Sequence, residues 1–211
     1  NTGQDCTAAT RTIVHRSLHD EFVRGVADLM AAVRIGPTAD EATDLGPLSS
    51  LAHQAKVAGM VERARGYATV VTGGRTPDGD LARGCYYEPT LVRDVPLDSE
   101  LWRDEVFGPV LAVVAFDDDD EAIRLANDTA FGLAASAWTR DTYRAGRATR
   151  EIAAGCVWVN DHIPIISEMP HGGYRHSGFG KDMYTNVKHV MHDTTAVAHK
   201  PWHRTIFTLP G

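Results

Sequence analysis

Residues 110–159 read VLAVVAFDDDDEAIRLANDTAFGLAASAWTRDTYRAGRATREIAAGCVWV, and this stretch alternates between strand-like and helix-like hydrophobic patterns. The apolar run 110–116 is typical of a buried strand, and 119–127 has helical spacing behind aspartates that suit a helix N-terminus. The alternation continues with a strand over 133–138, a helix over 141–150 and a strand over 156–159. Such alternation predicts an open, mostly parallel α/β sheet with crossover helices.

The sequence before this stretch extends the same pattern. Apolar residues recur at helical spacing from Leu18 to Val33, after Ser17 as N-cap, and Gly36-Pro37 is expected to stop that helix. A second helix is predicted over about 49–66. It is followed by strand-prone residues at 67–71, 86–87 and 90–92.

Composition and charge exclude several classes of protein. The 211 residues carry 21 Lys and Arg against 28 Asp and Glu, and the formal net charge of −7 disfavours a nucleic-acid partner. The cysteines at 6, 85 and 156 lack disulfide or zinc spacing, which favours a reducing, cytoplasmic location. No apolar run is long enough for a membrane span, so no membrane association is expected. The abrupt start without Met predicts a piece of a longer protein.

The motif NTGQDC at residues 1–6 places one cysteine in a small, flexible turn. We expect Cys6 to stand at the head of a helical run, where free backbone N–H groups and the helix dipole favour the thiolate. The same N–H groups could hold an oxyanion. The alternative is that Cys6 is an inert, buried core residue.

Three loops are expected near the carboxyl ends of strands, where open α/β sheets bind their ligands. In DEVFGPV (104–110), a carboxylate can accept hydrogen bonds from a ribose diol and the ring can pack on a flat heterocycle, although a solvated acid with a core Phe is the alternative. NDTAFGL (127–133) is interpreted as a helix-to-strand connection. The glycine-rich run MPHGGYRHSGFGK (169–181) has neither P-loop nor GxGxxG spacing.

Taken in order, these motifs resemble the C-terminal, catalytic half of an NAD(P)-dependent aldehyde dehydrogenase over nearly all of residues 1–198. NTGQDC is similar to the cysteine motif of that family, DEVFGPV to its cofactor-ribose motif, and GCVWVN with PHGGYRHSGFGK to its substrate-side loops. The run HIPIISEMPHGGYRHSGFGKD further resembles the γ-aminobutyraldehyde, or aminoaldehyde, branch.

This resemblance implies that an aldehyde, such as 4-aminobutanal, is oxidised to the carboxylic acid through a Cys6 thiohemiacetal and thioester, with NAD or NADP as hydride acceptor. Glu105 would anchor the nicotinamide ribose, Phe107 would pack beside the nicotinamide end, and Lys56 would lie near the same ribose. Ile163 and Ile165 would line the substrate tunnel, although a core role explains an apolar pair equally well. Lys56 could equally be a solvated helix lysine.

The resemblance also implies a division of the chain. Residues 1–185 would form the catalytic domain, 186–198 an oligomerisation strand of a homodimer or homotetramer, and 199–211 a tail. The dinucleotide-binding domain, the general-base glutamate and the oxyanion asparagine of the family would lie upstream, outside this chain. Between Met183 and Tyr184 the family normally carries further residues, and this shortening bears on the substrate entrance.

Two other functions are compatible with these residues. One is a truncated, non-catalytic aldehyde-dehydrogenase-like protein that acts only as a folded interaction module. The other is a cysteine hydrolase that cleaves activated esters without a cofactor. A metal site is not expected, because no cysteine or carboxylate stands at helpful spacing from His171 and His176 or from His189 and His192.

Overall fold

The computed structural model describes residues 1–169, 171–178 and 188–193, and its strands form two sheets. The strands are β1 (Arg11–His15), β2 (Thr69–Thr72), β3 (Thr90–Arg93), β4 (Val110–Phe116), β5 (Ala134–Ala137), β6 (Cys156–Val159) and β7 (His189–His192). The α-helices are α1 (Arg16–Ala31), α2 (Leu51–Ala64), α3 (Glu100–Arg103), α4 (Asp119–Asn127) and α5 (Thr142–Glu151). Short 3-10 helices cover Gly79–Arg83 and Arg175–Ser177.

The first sheet has the order β1-β4-β3-β2, with parallel pairing of β4 to β1 and β3 and antiparallel pairing of β2 to β3. Both of its faces are covered, as the continuous apolar character of β4 requires. Helix α2 contributes Val57 and Val61 to the larger core on one face. Helix α1 packs Val23 against Val113 of β4 in a smaller cluster on the other face.

The second sheet has the order β5-β6-β7, and all of its pairs are parallel. Strand β6 is central, and all four of its residues are buried. Helix α5 connects β5 to β6 and packs Ala148 against Val157 of β6. Asp118 and Asp141 cap α4 and α5 by accepting backbone N–H groups, as carboxylates at helix N-termini do.

The alternation predicted over 110–159 is confirmed element by element, and the mostly parallel α/β class is confirmed. The strands fall into two sheets rather than one. The sequence did not predict this division, because hydrophobic periodicity does not determine which strands pair. Strand β7 lies inside the segment 186–198, and residues 186–187 and 194–198 of that segment and the tail 199–211 fall outside the described residues.

Four local predictions are wrong. No helix follows Cys6, since the chain passes from a turn through residues 8–10 into β1. Helix α1 begins at Arg16 and not after Ser17, because the His15 side chain caps the helix by accepting the Ser17 N–H. The helix ends at Ala31, so Gly36-Pro37 does not stop it. Residues 86–87 are not a strand; Tyr87 is buried in the larger core instead.

In the described residues, no helix is long and apolar enough to cross a membrane.

Candidate active site

Cys6 lies exposed in a tight turn formed by residues 1–8. The Asp5 carboxylate accepts the backbone N–H of Thr7 at 2.7 Å and its hydroxyl at 2.6 Å. These hydrogen bonds stabilise the charged carboxylate and lower the pKa of Asp5, the Thr7 hydroxyl contributing most. The residues on either side of Cys6 are therefore fixed to each other while Cys6 itself is exposed, so the alternative that it is buried in the core is wrong.

Two hydrogen bonds, at Thr2 and at Gln4, anchor the first half of the Cys6 turn. The Thr2 hydroxyl donates to the Gly46 carbonyl at 3.0 Å, and the Ser49 N–H donates to the Gln4 side chain at 2.9 Å. Thr2 has a φ of 58° and Gly3 a φ of 69°, the left-handed region in which glycine is favoured. These bonds hold the turn against the loop that leads into α2.

Gly3 brings the Cys6 turn into contact with the DEVFGPV loop. A Cβ atom on Gly3 would lie 2.1 Å from the Gly108 carbonyl oxygen, so only glycine allows this approach. A Cβ atom on Gly108 would in turn lie 2.8 Å from Val57 of α2. Two glycines thus let the cysteine turn, the DEVFGPV loop and α2 meet at one place.

The three residues predicted to bind the cofactor lie together beside this contact. Lys56 of α2 donates its ammonium to the backbone carbonyl of Glu105 at 3.3 Å. His53, one turn earlier, hydrogen-bonds the Phe107 carbonyl through Nε2 at 2.7 Å, and the two rings pack edge to face. Phe107 has a φ of 57°, a left-handed conformation that is uncommon outside glycine, and its side chain is half-buried.

The chemistry available at this place is one carboxylate, one ammonium and one aromatic ring. Glu105 and Lys56 are exposed, and among the described residues the Glu105 carboxylate forms no ion pair. Its two oxygens can accept both hydroxyl groups of a diol, and the Phe107 ring offers a flat apolar surface. These residues therefore fit the ribose and the flat base of a nucleotide cofactor.

The predicted substrate residues lie in the loop that follows β6. Ile163 and Ile165 are 41% and 48% exposed, so the alternative of a core role is wrong for both. Ile163 has a φ of 80°, a strained conformation for a β-branched residue, and the Trp158 indole N–H donates to the Pro164 carbonyl between them at 2.8 Å. The loop is held in a conformation that keeps both apolar side chains outside the core.

Close backbone packing also fixes the glycine-rich run. A Cβ atom on Gly155 would lie 1.6 Å from the Gly172 carbonyl oxygen, and the Gly132 N–H donates to the Ser177 hydroxyl at 3.0 Å. The 127–133 segment connects α4 to β5, as predicted, and it receives this run. Residues 170 and 179–181 of the run lie outside the described residues.

Sequence reasoning missed two histidines at the site. His53 supports the Phe107 backbone, and its position one turn before Lys56 on α2 was an available signal. His162 lies in the loop that follows β6, and its Nδ1 is 2.6 Å from the Ser136 hydroxyl of β5. Burial lowers the pKa of His162, while the Thr7 backbone and the charges of Asp161 and Asp5 act in the opposite direction.

Metal ligands do not assemble in the described part of the chain: no group of three or more His, Cys, Asp or Glu side chains there could hold a metal ion.

Comparison with known proteins identifies relatives over most of the chain. A family model described as the aldehyde dehydrogenase family matches residues 1–199. Betaine aldehyde dehydrogenase of Bacillus subtilis is 38% identical over 205 residues, which are 93% of this chain and 42% of the relative. Peroxisomal aminoaldehyde dehydrogenase 1 of Pisum sativum is 39% identical over 208 residues, 95% of this chain and 41% of the relative.

Solved structures agree with the sequence relatives. A crystal structure of betaine aldehyde dehydrogenase from Staphylococcus aureus in complex with NAD+ superimposes with a TM-score of 0.82 at 35% identity, over 84% of this chain and 36% of that one. The chain therefore spans about two fifths of the length of the curated relatives it matches, at 42% and 41%.

Proposed function

Because the chain belongs to the aldehyde dehydrogenase family, we propose that it supplies the cysteine-bearing part of an enzyme that oxidises an aldehyde to a carboxylic acid with NAD or NADP. The observation that carries this proposal is the contact between Gly3 and Gly108. It joins the turn that presents Cys6 to the loop that carries Glu105 and Phe107. A thiol beside a nucleotide-compatible surface is what this oxidation requires.

Cys6 is proposed as the nucleophile. Its thiolate adds to the aldehyde carbon, and the oxyanion of the resulting thiohemiacetal accepts a hydrogen bond from the Cys6 backbone N–H. The chemistry that NAD or NADP supplies when bound is hydride acceptance. The Cys6 sulfur then carries the acyl group as a thioester, and water cleaves it to release the carboxylic acid and the free thiol.

Glu105, Phe107 and Lys56 are proposed to hold the cofactor. The Glu105 carboxylate would accept hydrogen bonds from the ribose hydroxyls, and the Phe107 ring would pack beside the nicotinamide end. The ammonium of Lys56 lies near the same ribose in this proposal, because its bond to the Glu105 carbonyl holds it at the backbone of that loop.

An aminoaldehyde such as 4-aminobutanal is the proposed substrate, and Ile163 and Ile165 are proposed to line its path. Two relatives named aminoaldehyde dehydrogenases support this choice, at 38% and 39% identity. The exposure of both isoleucines supports the second part, because a side chain must leave the core to meet a substrate.

We also propose the catalytic domain over 1–185, pairing of subunits through 186–198 and a tail over 199–211. Strand β7 supports the pairing, since it is at the edge of its sheet in the described residues and Val190 is 42% exposed. A cytoplasmic location is proposed on the three free cysteines.

The test is formation of NAD(P)H from 4-aminobutanal by the chain alone and by the chain joined to the dinucleotide-binding half of a family member. Activity of the joined protein that is lost in Cys6→Ala supports the proposal. Glu105→Ala is expected to raise the cofactor KM while the rate of Cys6 alkylation stays unchanged. Equal loss of both would make Glu105 a structural residue.

Two outcomes would support the competing functions. A joined protein that folds but forms no NAD(P)H would favour the non-catalytic interaction module. Turnover of an activated ester that needs Cys6 and is indifferent to NAD(P) would favour the cysteine hydrolase.

A further inference from the structure

His53 leaves the first turn of α2 with its backbone fixed. Its N–H donates to the hydroxyl of Ser50, the N-cap of the helix, at 3.1 Å. Such a cap satisfies a backbone donor that the helix itself leaves open and so stabilises its first turn. The half-buried imidazole therefore projects from a fixed point of α2.

The imidazole holds the backbone of Phe107. Its Nε2 lies 2.7 Å from the Phe107 carbonyl oxygen, and the two rings pack edge to face with centroids 6.3 Å apart. Because a carbonyl oxygen can only accept a hydrogen bond, the hydrogen must be on Nε2. This bond fixes the tautomer of His53 and the plane of the peptide that joins Phe107 to Gly108.

The loop needs support at this peptide. Phe107 has a φ of 57°, and a residue with a Cβ atom keeps such a conformation only where its surroundings hold it. The next residue is Gly108, and its carbonyl oxygen is the atom against which Gly3 of the Cys6 turn packs. The His53 bond therefore acts on the strained part of the loop, beside its contact with the Cys6 turn.

A second side chain of α2 holds the same loop. Lys56 is three residues after His53, on the same side of the helix, and donates to the Glu105 carbonyl at 3.3 Å. Val106, between the two held carbonyls, is 4% exposed and packs in the larger core. Both bonds use backbone oxygens, so the Glu105 carboxylate and the Phe107 ring stay available to a ligand.

The His53 bond is the stronger of these two contacts. Its length is 2.7 Å against 3.3 Å for the Lys56 bond, and a shorter bond is closer to ideal geometry. Its donor is half-buried, whereas Lys56 is exposed and water competes for its ammonium. The orientation of the loop therefore depends mainly on His53.

We propose that His53 is a positioning residue for the cofactor surface: its Nε2–H donates to the Phe107 carbonyl and so sets the direction of the Phe107 ring relative to the Glu105 carboxylate. His53 acts through Phe107 and need not touch the cofactor itself. The inference rests on the proposed cofactor role of Glu105 and Phe107. It goes further by naming the residue that holds them in register.

Hydrogen exchange of the 211-residue chain tests this bond without any cofactor. The amides of Val110 and Thr90 are the reporters, because they donate to the carbonyls of Gly108 and Pro109 at 2.8 Å each. Without the His53 bond this part of the loop should open more often. Both amides should then exchange about fivefold faster, the effect of one hydrogen bond. Unchanged exchange in β6 shows that a variant folds.

Two variants of similar size separate the hydrogen bond from packing. The side-chain amide of His53→Gln reaches the place of Nε2, whereas that of His53→Asn reaches only the place of Nδ1. We expect the faster exchange in His53→Asn and wild-type exchange in His53→Gln. Ala52→Asn, at an exposed position of the same turn, is the control for asparagine in α2 and should leave both reporters unchanged.

The chain joined to the dinucleotide-binding half of a family member gives a second readout. His53→Asn is expected to raise the cofactor KM about fivefold with little change in kcat, because a loosened loop loses binding that ground state and transition state share. His53→Gln should restore the wild-type KM, which a purely structural role of the imidazole ring would not predict.

Equal exchange in the Asn and Gln variants, or equally fast exchange in Ala52→Asn, would overturn the inference. So would a wild-type cofactor KM in His53→Asn of an active joined protein. A joined wild-type protein that forms no NAD(P)H would instead reject the proposed function, and the exchange comparison would still decide whether His53 holds the loop.

Discussion

The contact between Gly3 and Gly108 can be tested by adding one methyl group. In Gly3→Ala the new Cβ atom would lie 2.1 Å from the Gly108 oxygen and 2.4 Å from its carbon, far inside contact distance. The left-handed φ of 69° costs a non-glycine residue about 1–2 kcal/mol, and forcing a methyl group into a filled space costs about 1–3 kcal/mol more. We expect Gly3→Ala to lower the free energy of unfolding by about 2–5 kcal/mol.

Equilibrium unfolding in urea measures this loss, and Gly79→Ala is the matched control. Gly79 has the same φ of 69°, but a Cβ atom there would meet nothing within 4 Å. Only the backbone term remains, about 1–2 kcal/mol. Equal losses in the two variants would refute the reasoning, because they would show that the Cys6 turn does not press against Gly108. In Gly3→Ala we also expect a changed rate of Cys6 alkylation, which Gly79→Ala leaves unaltered.

Three further predictions concern stability. Asp5→Ala should cost about 1 kcal/mol of unfolding free energy near pH 7, because the two bonds to Thr7 are lost. Since the pKa of Asp5 is lowered in the folded protein, the contribution of Asp5 to stability should be complete above the unfolded value of 3.8. This contribution should vanish as the pH falls through the folded pKa. Burial raises the pKa of Cys156 to about 11 from 9.0, so wild-type stability should fall between these pH values more than that of Cys156→Ala, in urea titrations at each pH. Arg11→Met should cost about 2–3 kcal/mol by the same assay, because the Arg11 guanidinium lies 4.1 Å from the Trp102 ring and donates to two backbone carbonyls; a loss below that of Asp5→Ala would contradict it.

Local pattern predicted the second half of the chain well and its first residues poorly. The bounds of β4, α4 and β6 match the prediction to the residue, since uninterrupted apolar runs and helical spacing are properties of the segment itself. Strand β1 was missed because RTIVH has polar ends and becomes a strand only by pairing with β4. The start of α1 was misplaced because a histidine, not one of the common capping residues, caps it.

For the candidate site, the sequence predicted which residues take part but not that they lie close together. The identity of Cys6, Glu105 and Phe107 as candidates came from motifs in the sequence, and so did Lys56 once the resemblance was recognised. Their proximity did not, because it depends on backbone contacts between segments that are distant along the chain. The exposure of Ile163 and Ile165 was likewise open until the position of their loop was known.

The sequence by itself determined most of the elements, the α/β class and the motifs of the family, because periodicity and motif spacing are contained within each segment. Only the tertiary structure decided that Gly3 packs on Gly108, that the strands divide into two sheets and that His162 contacts Ser136 of β5. Each of these depends on which distant surfaces fit together, and such complementarity of shape and hydrogen bonding belongs to no single stretch of sequence.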